Sequence, residues 1–568
     1  MPEQLDVGFG ALAALILFIL ASMWIGTIAN RAMQKGSFLK GFFLGNRGLG
    51  AWALALTATV QSGGTFMGFP SLVYTHGWSV ALWIAGYMVV PITGFGILGK
   101  RLASLSRRTG AITVPDLLRE RFGSPQLGLV ASLFILFYMS FMTVAQFKAG
   151  AIVMKIAFPG TGALAISEEA ATGVDTAYLV GLTVFTLTVV GYTLLGGFLA
   201  AVWTDLFQSV MMLIGVVLLL CLTLTAAGGI EQATLAAASH TGPNFVFGPG
   251  YDPQESGRQF VPISLAFSFF FVWVFSGLGS PAGMVRIMAS DSTTTIRRSI
   301  YLLSAYNALI YIPLVIICIC GRALIPDLPP GKTDEIIPRL ALGMTAHLPL
   351  GSFVAGLILA APFGAVMATV SSYLVVIASG LVRDVYQRFL NPNANEYQLR
   401  RLSSIVMIAV GAVAVAASIR PVDYLQAIVV FSGTGAAATF CVPALMTAFW
   451  RRATVPGILT SMLVGAGTML CLYGAGFLGY GDPLVGQVTR FRPYFLLGLD
   501  PIVWGLANSL LAGVIVSLFT SPPDAALVSR LFDAQPAATK DAASSSTTDA
   551  TSSARGPACP VPDEMARP

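Results

Sequence analysis

The sequence predicts an all-α polytopic membrane protein, and three observations carry the prediction. Apolar residues make up 55% of the 568 residues and charged residues only 10%, whereas soluble domains carry about 25% charge. Thirteen apolar runs reach the roughly 20 residues that cross a bilayer: they lie near 7–30, 49–74, 77–99, 127–154, 177–194, 200–226, 261–285, 299–323, 350–382, 402–419, 423–450, 455–478 and 500–520. Two of these runs are interrupted by small, flexible residues, Ser62-Gly63-Gly64-Thr65 in the second and Ser276-Gly277-Leu278-Gly279-Ser280-Pro281 in the seventh.

The first run follows Glu3 and Asp6, lacks a basic leader and is long, so it reads as a retained helix whose N-terminus starts outside. Loop charge orients the rest. Arg31, Lys35, Lys40 and Arg47 precede the second span, and Lys100, Arg101, Arg107, Arg108, Arg119 and Arg121 precede the fourth, which places both loops in the cytoplasm. The loop 157–176 carries Glu168, Glu169 and Asp175 and belongs on the other side, and an odd number of spans leaves the C-terminus inside. The formal charge of +6 is therefore a matter of membrane orientation, with no basic helix or aromatic-basic cluster for nucleic acid. From about 521 onward the chain is polar and of low complexity, as in Ser544-Ser545-Ser546-Thr547-Thr548, and is expected to be a disordered cytoplasmic tail.

Enzyme chemistry is not predicted. Gly331-Lys332-Thr333 is the nearest approach to a phosphate loop, but Pro326 stands where its first glycine is required. His76, His240 and His347 are scattered, and the six cysteines show no metal-binding spacing. No cofactor and no obligate protein partner are expected beyond the lipid bilayer and a small-molecule solute.

The interrupted spans carry the functional expectation. In hydrocarbon every backbone polar group needs an internal partner, so a break is tolerated only against protein or a water-filled cavity. Paired breaks in two halves of a chain point to a secondary transporter with inverted repeats and a midplane binding site. Gln61, Ser62 and Thr65 flank the first break, and Trp273, Ser276 and Ser280 flank the second; together they are the candidate solute-binding residues. A third segment, Ala365-Val366-Met367-Ala368-Thr369-Val370-Ser371-Ser372, follows Pro362 and offers hydroxyls beside carbonyls that a helix distortion would free for a cation. Hydroxyl back-bonding within the helix accounts for it equally well. Lys148 is the deepest lysine; its charge needs a partner, an aqueous cavity or an anionic solute, or its stem snorkels outward.

Phe43-Leu44-Gly45-Asn46-Arg47, the segment Thr57 to Pro70, Gly96-Ile97-Leu98-Gly99-Lys100-Arg101, and Tyr192 through Thr193-Leu194-Leu195-Gly196-Gly197 to Asp205 resemble the sodium:solute symporter family over roughly residues 10–520. Gly321-Arg322-Ala323-Leu324-Ile325-Pro326-Asp327-Leu328 and Ala360-Ala361-Pro362 look most like its sodium/pantothenate members. The resemblance implies a leucine-transporter-like inverted-repeat fold of 13 transmembrane helices. Residues 1–30 would be an extra N-terminal helix, 49–226 and 261–450 the two five-helix repeats, 455–520 two additional helices and 521–568 the tail. It also implies a sodium site made by the carbonyls of Ala58, Gln61 and Ala365 and the side chain of Thr369. Ala368 stands where members place a second hydroxyl, leaving water or Ser372 to compensate. Asp205 matches an aspartate implicated in cation release. The implied activity is cation-coupled import of a small organic solute across a bacterial-type inner membrane by alternating access, with sodium as the ion and protons the alternative. A carboxylate such as pantothenate is the expected solute. An amino-acid or sugar symporter, or a transporter-like membrane sensor, are the other readings.

Overall fold

The computed structural model describes residues 8–33, 47, 49–57, 62–158, 176–242, 245–250, 261–419, 425–481 and 491–533. They are helical almost throughout. Helix α1 is Phe9–Met33 and α2 is Ala51–Thr57; a π-helical turn, Gly64–Gly68, then leads into α3, Phe69–His76. Helix α4, Ala81–Pro91, runs through a second π segment, Ile92–Leu98, into α5, Gly99–Thr109. Next come α6 (Val114–Phe122) and α7 (Pro125–Ala157). The spans Thr176–Leu194 and Ala201–Ala226, here α8 and α9, are followed by α10, Ile230–Thr241.

The second half begins with α11 (Ile263–Gly279), α12 (Pro281–Met288) and α13 (Thr293–Leu324). A 3-10 turn at Pro330–Glu335 precedes α14 (Ile336–Thr345). Helix α15, Gly351–Ser379, continues as π helix over Gly380–Leu390. The remaining elements are α16 (Glu396–Ser418), α17 (Leu425–Phe449), α18 (Val455–Phe477), α19 (Pro501–Phe519) and α20 (Ala525–Phe532).

Local sequence explains where the helices begin. Ser124, Ser292, Thr454 and Asp500 each cap a following helix with a side-chain oxygen, and Asn395 with Gln398 forms a reciprocal capping box. Pro125 and Pro501 occupy first-turn positions where their missing N–H costs nothing.

Eleven helices among the described residues are long and apolar enough to cross a membrane, or up to twelve with one bent pair counted as a span. The sequence expectation of 13 includes the span 49–74, which that count leaves out. That run contains α2, the π-helical turn and α3, and residues 58–61 within it lie outside the described residues. The bent pair is α11 and α12, which meet at 44° around Ser280. Ser280 is extended (φ −72°, ψ 116°) and its hydroxyl accepts from the Gly283 N–H at 3.2 Å, while Pro281 disfavours helical geometry in the residue before it.

The core sits around α15 and α17, the two most buried spans, whereas α16 and α19 show most of their surface. Close approach at the bend depends on Gly279, whose absent Cβ would lie 2.6 Å from the Ala437 Cα in α17. Residues 1–523 form one compact unit and 524–568 another. In the second unit the stretch expected to be disordered contains α20, and residues 534–568 lie outside the described residues.

Candidate functional site

At the first break, tertiary side chains supply the partners that the interrupted helix lacks. The Gly63 N–H donates to Gln146 Oε1 of α7 at 2.6 Å, and the Gly64 N–H donates to Ser62 Oγ at 3.1 Å. The Ser62 N–H in turn donates to Thr65 Oγ1 at 3.2 Å. Ser62 and Thr65 therefore stabilise the broken end as well as facing the interior. Gln61 and Ala58, expected to bind solute and cation here, lie outside the described residues.

An aromatic stack closes one face of this break. The Thr65 and Tyr311 hydroxyls share a hydrogen bond of 3.1 Å. Tyr311 stacks on Tyr87 with centroids 4.2 Å apart, and Tyr87 on Trp273 at 4.4 Å. All three rings are buried. Ser276 bonds back to the Val272 carbonyl, and its side chain faces Gly433 of α17. Gln426 is also buried against the break: a Cβ on Gly68 would meet its Oε1 at 2.1 Å, and its amide atoms complete no hydrogen bond among the described residues.

Beyond the stack the Pro330–Glu335 turn settles on the helices. Asp334 Oδ2 lies 3.4 Å from Lys148 Nζ and accepts at 3.4 Å from the Leu425 N–H at the start of α17. Thr333 bonds Ser71, and the Tyr74 hydroxyl donates to the Ile325 carbonyl at 2.6 Å. Burial pushes the Asp334 carboxyl above its ordinary pKa, opposed by the neighbouring Lys148 ammonium. Lys148 thus has the compensating partner its depth demands, and it does not line the cavity on the opposite side of the stack.

That cavity is lined by Thr57, Ser62, Asp205, Ser280, Arg286 and Thr369, among others. It brings together one expected solute residue from each break, Ser62 and Ser280, with the expected cation segment. The Thr369 hydroxyl donates to the Ala365 carbonyl at 2.9 Å, and the Ser372 hydroxyl to the Ala368 carbonyl at 2.8 Å. These are hard oxygen donors of the kind an alkali cation uses, with Ala368 contributing no side-chain oxygen. Arg286 Nη2 donates to Ser372 Oγ at 2.6 Å and lies 3.3 Å from Asp205 Oδ2.

Sequence reasoning missed Gln146, Tyr87, Tyr311, Gln426, Asp334 and Arg286. Gln146 and Arg286 had a signal, being polar residues in or next to apolar runs; the tyrosines carried none, because an aromatic in a membrane span is ordinary.

The model of the sodium:solute symporter family matches residues 42–465. The sodium/pantothenate symporter of Escherichia coli (strain K12) is 31% identical over 520 residues, covering 90% of this chain and 98% of that protein. The high-affinity proline transporter of Bacillus subtilis (strain 168) is 27% identical, covering 89% and 98%. In structure the chain is similar to a substrate-bound, outward-open Na+-coupled sialic acid symporter, with a TM-score of 0.68, 21% identity and coverage of 91% and 100%; that likeness shows the leucine-transporter type of fold. The chain belongs to the sodium:solute symporter family, and is a multi-pass membrane protein that couples a small solute to sodium rather than an enzyme.

Proposed function

We propose that this protein imports a small organic carboxylate of the pantothenate kind together with sodium across a bacterial inner membrane, by alternating access. The observation that carries the reading is the asymmetry around the broken span: stacked aromatics and the Lys148–Asp334 pair close one side, and the cavity lies on the other. The cavity side adjoins the basic loop, where Arg107 reaches the Ser290 carbonyl and Arg47 the carbonyls of Ser106 and Ala111. By the positive-inside rule this is the cytoplasmic side, with the N-terminus outside and the C-terminus within, and the arrangement is inward-facing.

In this reading the carbonyls of Ala58, Gln61 and Ala365 and the Thr369 hydroxyl hold sodium, and Asp205 lies on its release path. Gln61, Ser62, Thr65, Trp273, Ser276 and Ser280 surround the solute, with Lys148 at the outer approach. Residues 49–226 and 261–450 act as the two repeats, hinged at their corresponding breaks. Each unit charge falling through 100 mV releases about 2.3 kcal/mol. One sodium with one monoanion is electroneutral and draws only on chemical gradients, so electrogenic uptake requires a second cation.

Proline is the competing solute, supported by the 27% identity to a proline transporter. Uptake of radiolabelled pantothenate into proteoliposomes under an imposed sodium gradient tests the reading, with unlabelled proline and sugars as competitors. Sodium-dependent accumulation blocked by pantothenate alone is expected. Accumulation of proline instead overturns the solute assignment, and uptake driven equally by a pH gradient without sodium overturns the ion.

A further inference from the structure

Arg286 places a permanently charged guanidinium beside the cation segment. It sits on α12, the short half of the bent span, six residues and nearly two turns beyond the Ser280 cap. Its guanidinium reaches across the cavity wall to two other elements, Asp205 of α9 and Ser372 of α15. The contact is made through one nitrogen only. Arg286 Nε and Asp205 Oδ1 are both buried without a hydrogen-bond partner, so the pair lacks the two-pronged geometry that makes an arginine–carboxylate bridge permanent.

Ser372 is the hydroxyl one turn from Thr369, and it is already committed, donating to the Ala368 carbonyl and accepting from Arg286. With Ala368 lacking a hydroxyl, Ser372 is the side chain on this helix best placed to complete an oxygen shell. In the arrangement described here, Arg286 occupies it.

We propose that Arg286 is an internal competitor of the coupling ion. With α12 packed as it is, the guanidinium takes the oxygens of Asp205 and Ser372, lowers sodium affinity on the cavity side and drives the ion out. When α12 moves, those oxygens become available and sodium is retained. A mobile side-chain cation repels an incoming one and withdraws its acceptors at the same time, and both effects weaken when the charge is removed. The inference rests on the cation site proposed above.

Equilibrium binding of radiolabelled sodium to the purified full-length protein tests it, alongside solute uptake and solute exchange in proteoliposomes. Arg286→Gln is expected to bind sodium about tenfold more tightly, the scale of one charge-assisted hydrogen bond. Net uptake should slow because release is impaired, while exchange, which needs no empty inward return, should be kept. Arg286→Lys keeps the charge but cannot hold both acceptors, and a shift in the same direction by a few fold is expected. It also serves if the glutamine variant does not fold. Unchanged or weaker sodium binding in the folded variants overturns the proposal. Thr369→Ala separates the two claims: if it leaves sodium binding intact, the site itself is misplaced; if it weakens binding while the Arg286 variants do nothing, only the competition fails.

Discussion

Lys148 and Asp334 meet at 3.4 Å although 186 residues separate them, and both side chains are more than nine-tenths buried. The pair ties α7 to the turn that also caps the start of α17. Removing one partner of a buried pair strands the other charge, typically at a cost of about 3–5 kcal/mol. Lys148→Met is therefore expected to loosen the closed face, measured as faster labelling of a cysteine introduced at Ser71. Apparent affinity for a carboxylate solute and for its matching amide should fall equally. Selective loss of the carboxylate would instead make Lys148 a solute ligand.

The same carboxylate gives a pH dependence of defined sign. Burial raises the Asp334 pKa in the folded chain, so the folded state binds this proton more tightly than the unfolded state. Its stabilising contribution is full below the ordinary aspartate value and is lost as pH rises through the raised folded value. Measured by thermal unfolding in detergent, the parent should gain on Asp334→Asn as pH falls across that window. A gap between them that stays constant from neutral to acidic pH contradicts the assignment.

Thr369 is the side-chain oxygen on which the proposed cation site most depends. Thr369→Ala should raise the sodium concentration for half-maximal uptake by about tenfold, equivalent to about 1.4 kcal/mol of ion binding. Ala368→Ser, which restores the second hydroxyl, should lower it. An unchanged sodium dependence in both variants removes this segment from the ion path.

Gly63 is fixed by the close approach of α7. A Cβ there would fall 2.5 Å from the Ala149 Cβ, an overlap that ordinarily costs about 1–3 kcal/mol. Gly63→Ala should lower thermal stability and uptake together, and adding Ala149→Gly should recover most of both. Failure of the second change to rescue the first would show that backbone freedom, not space, is what Gly63 supplies.

Length, membrane class and the two broken spans were legible because each depends on a local run of residues. Ser62 and Ser280, which line one cavity, drew attention for the same reason: they sit at the interruptions themselves. The partners were not legible. Gln146 reaches Gly63 from 83 residues away, and the Tyr311–Tyr87–Trp273 stack joins three separate helices, so no spacing rule connects them. An interrupted helix falls below the length by which spans are counted, so the run 49–74 is absent from the eleven or twelve spans found among the described residues. Ser372 was seen as a spare cation ligand, but its engagement by Arg286 is a tertiary fact.

The bend at Ser280 has a mechanical consequence. Because Ser280 caps α12 with its own hydroxyl, the short helix can swing about that residue without surrendering a main-chain hydrogen bond of either half. Arg286 lies six residues along, a lever arm of roughly 9 Å. A swing of about 10° then carries its backbone by roughly 1.5 Å at that radius, enough to part a 2.6 Å contact with Ser372. Small angular motion at a self-capped pivot is thereby converted into an all-or-none electrostatic event at its tip.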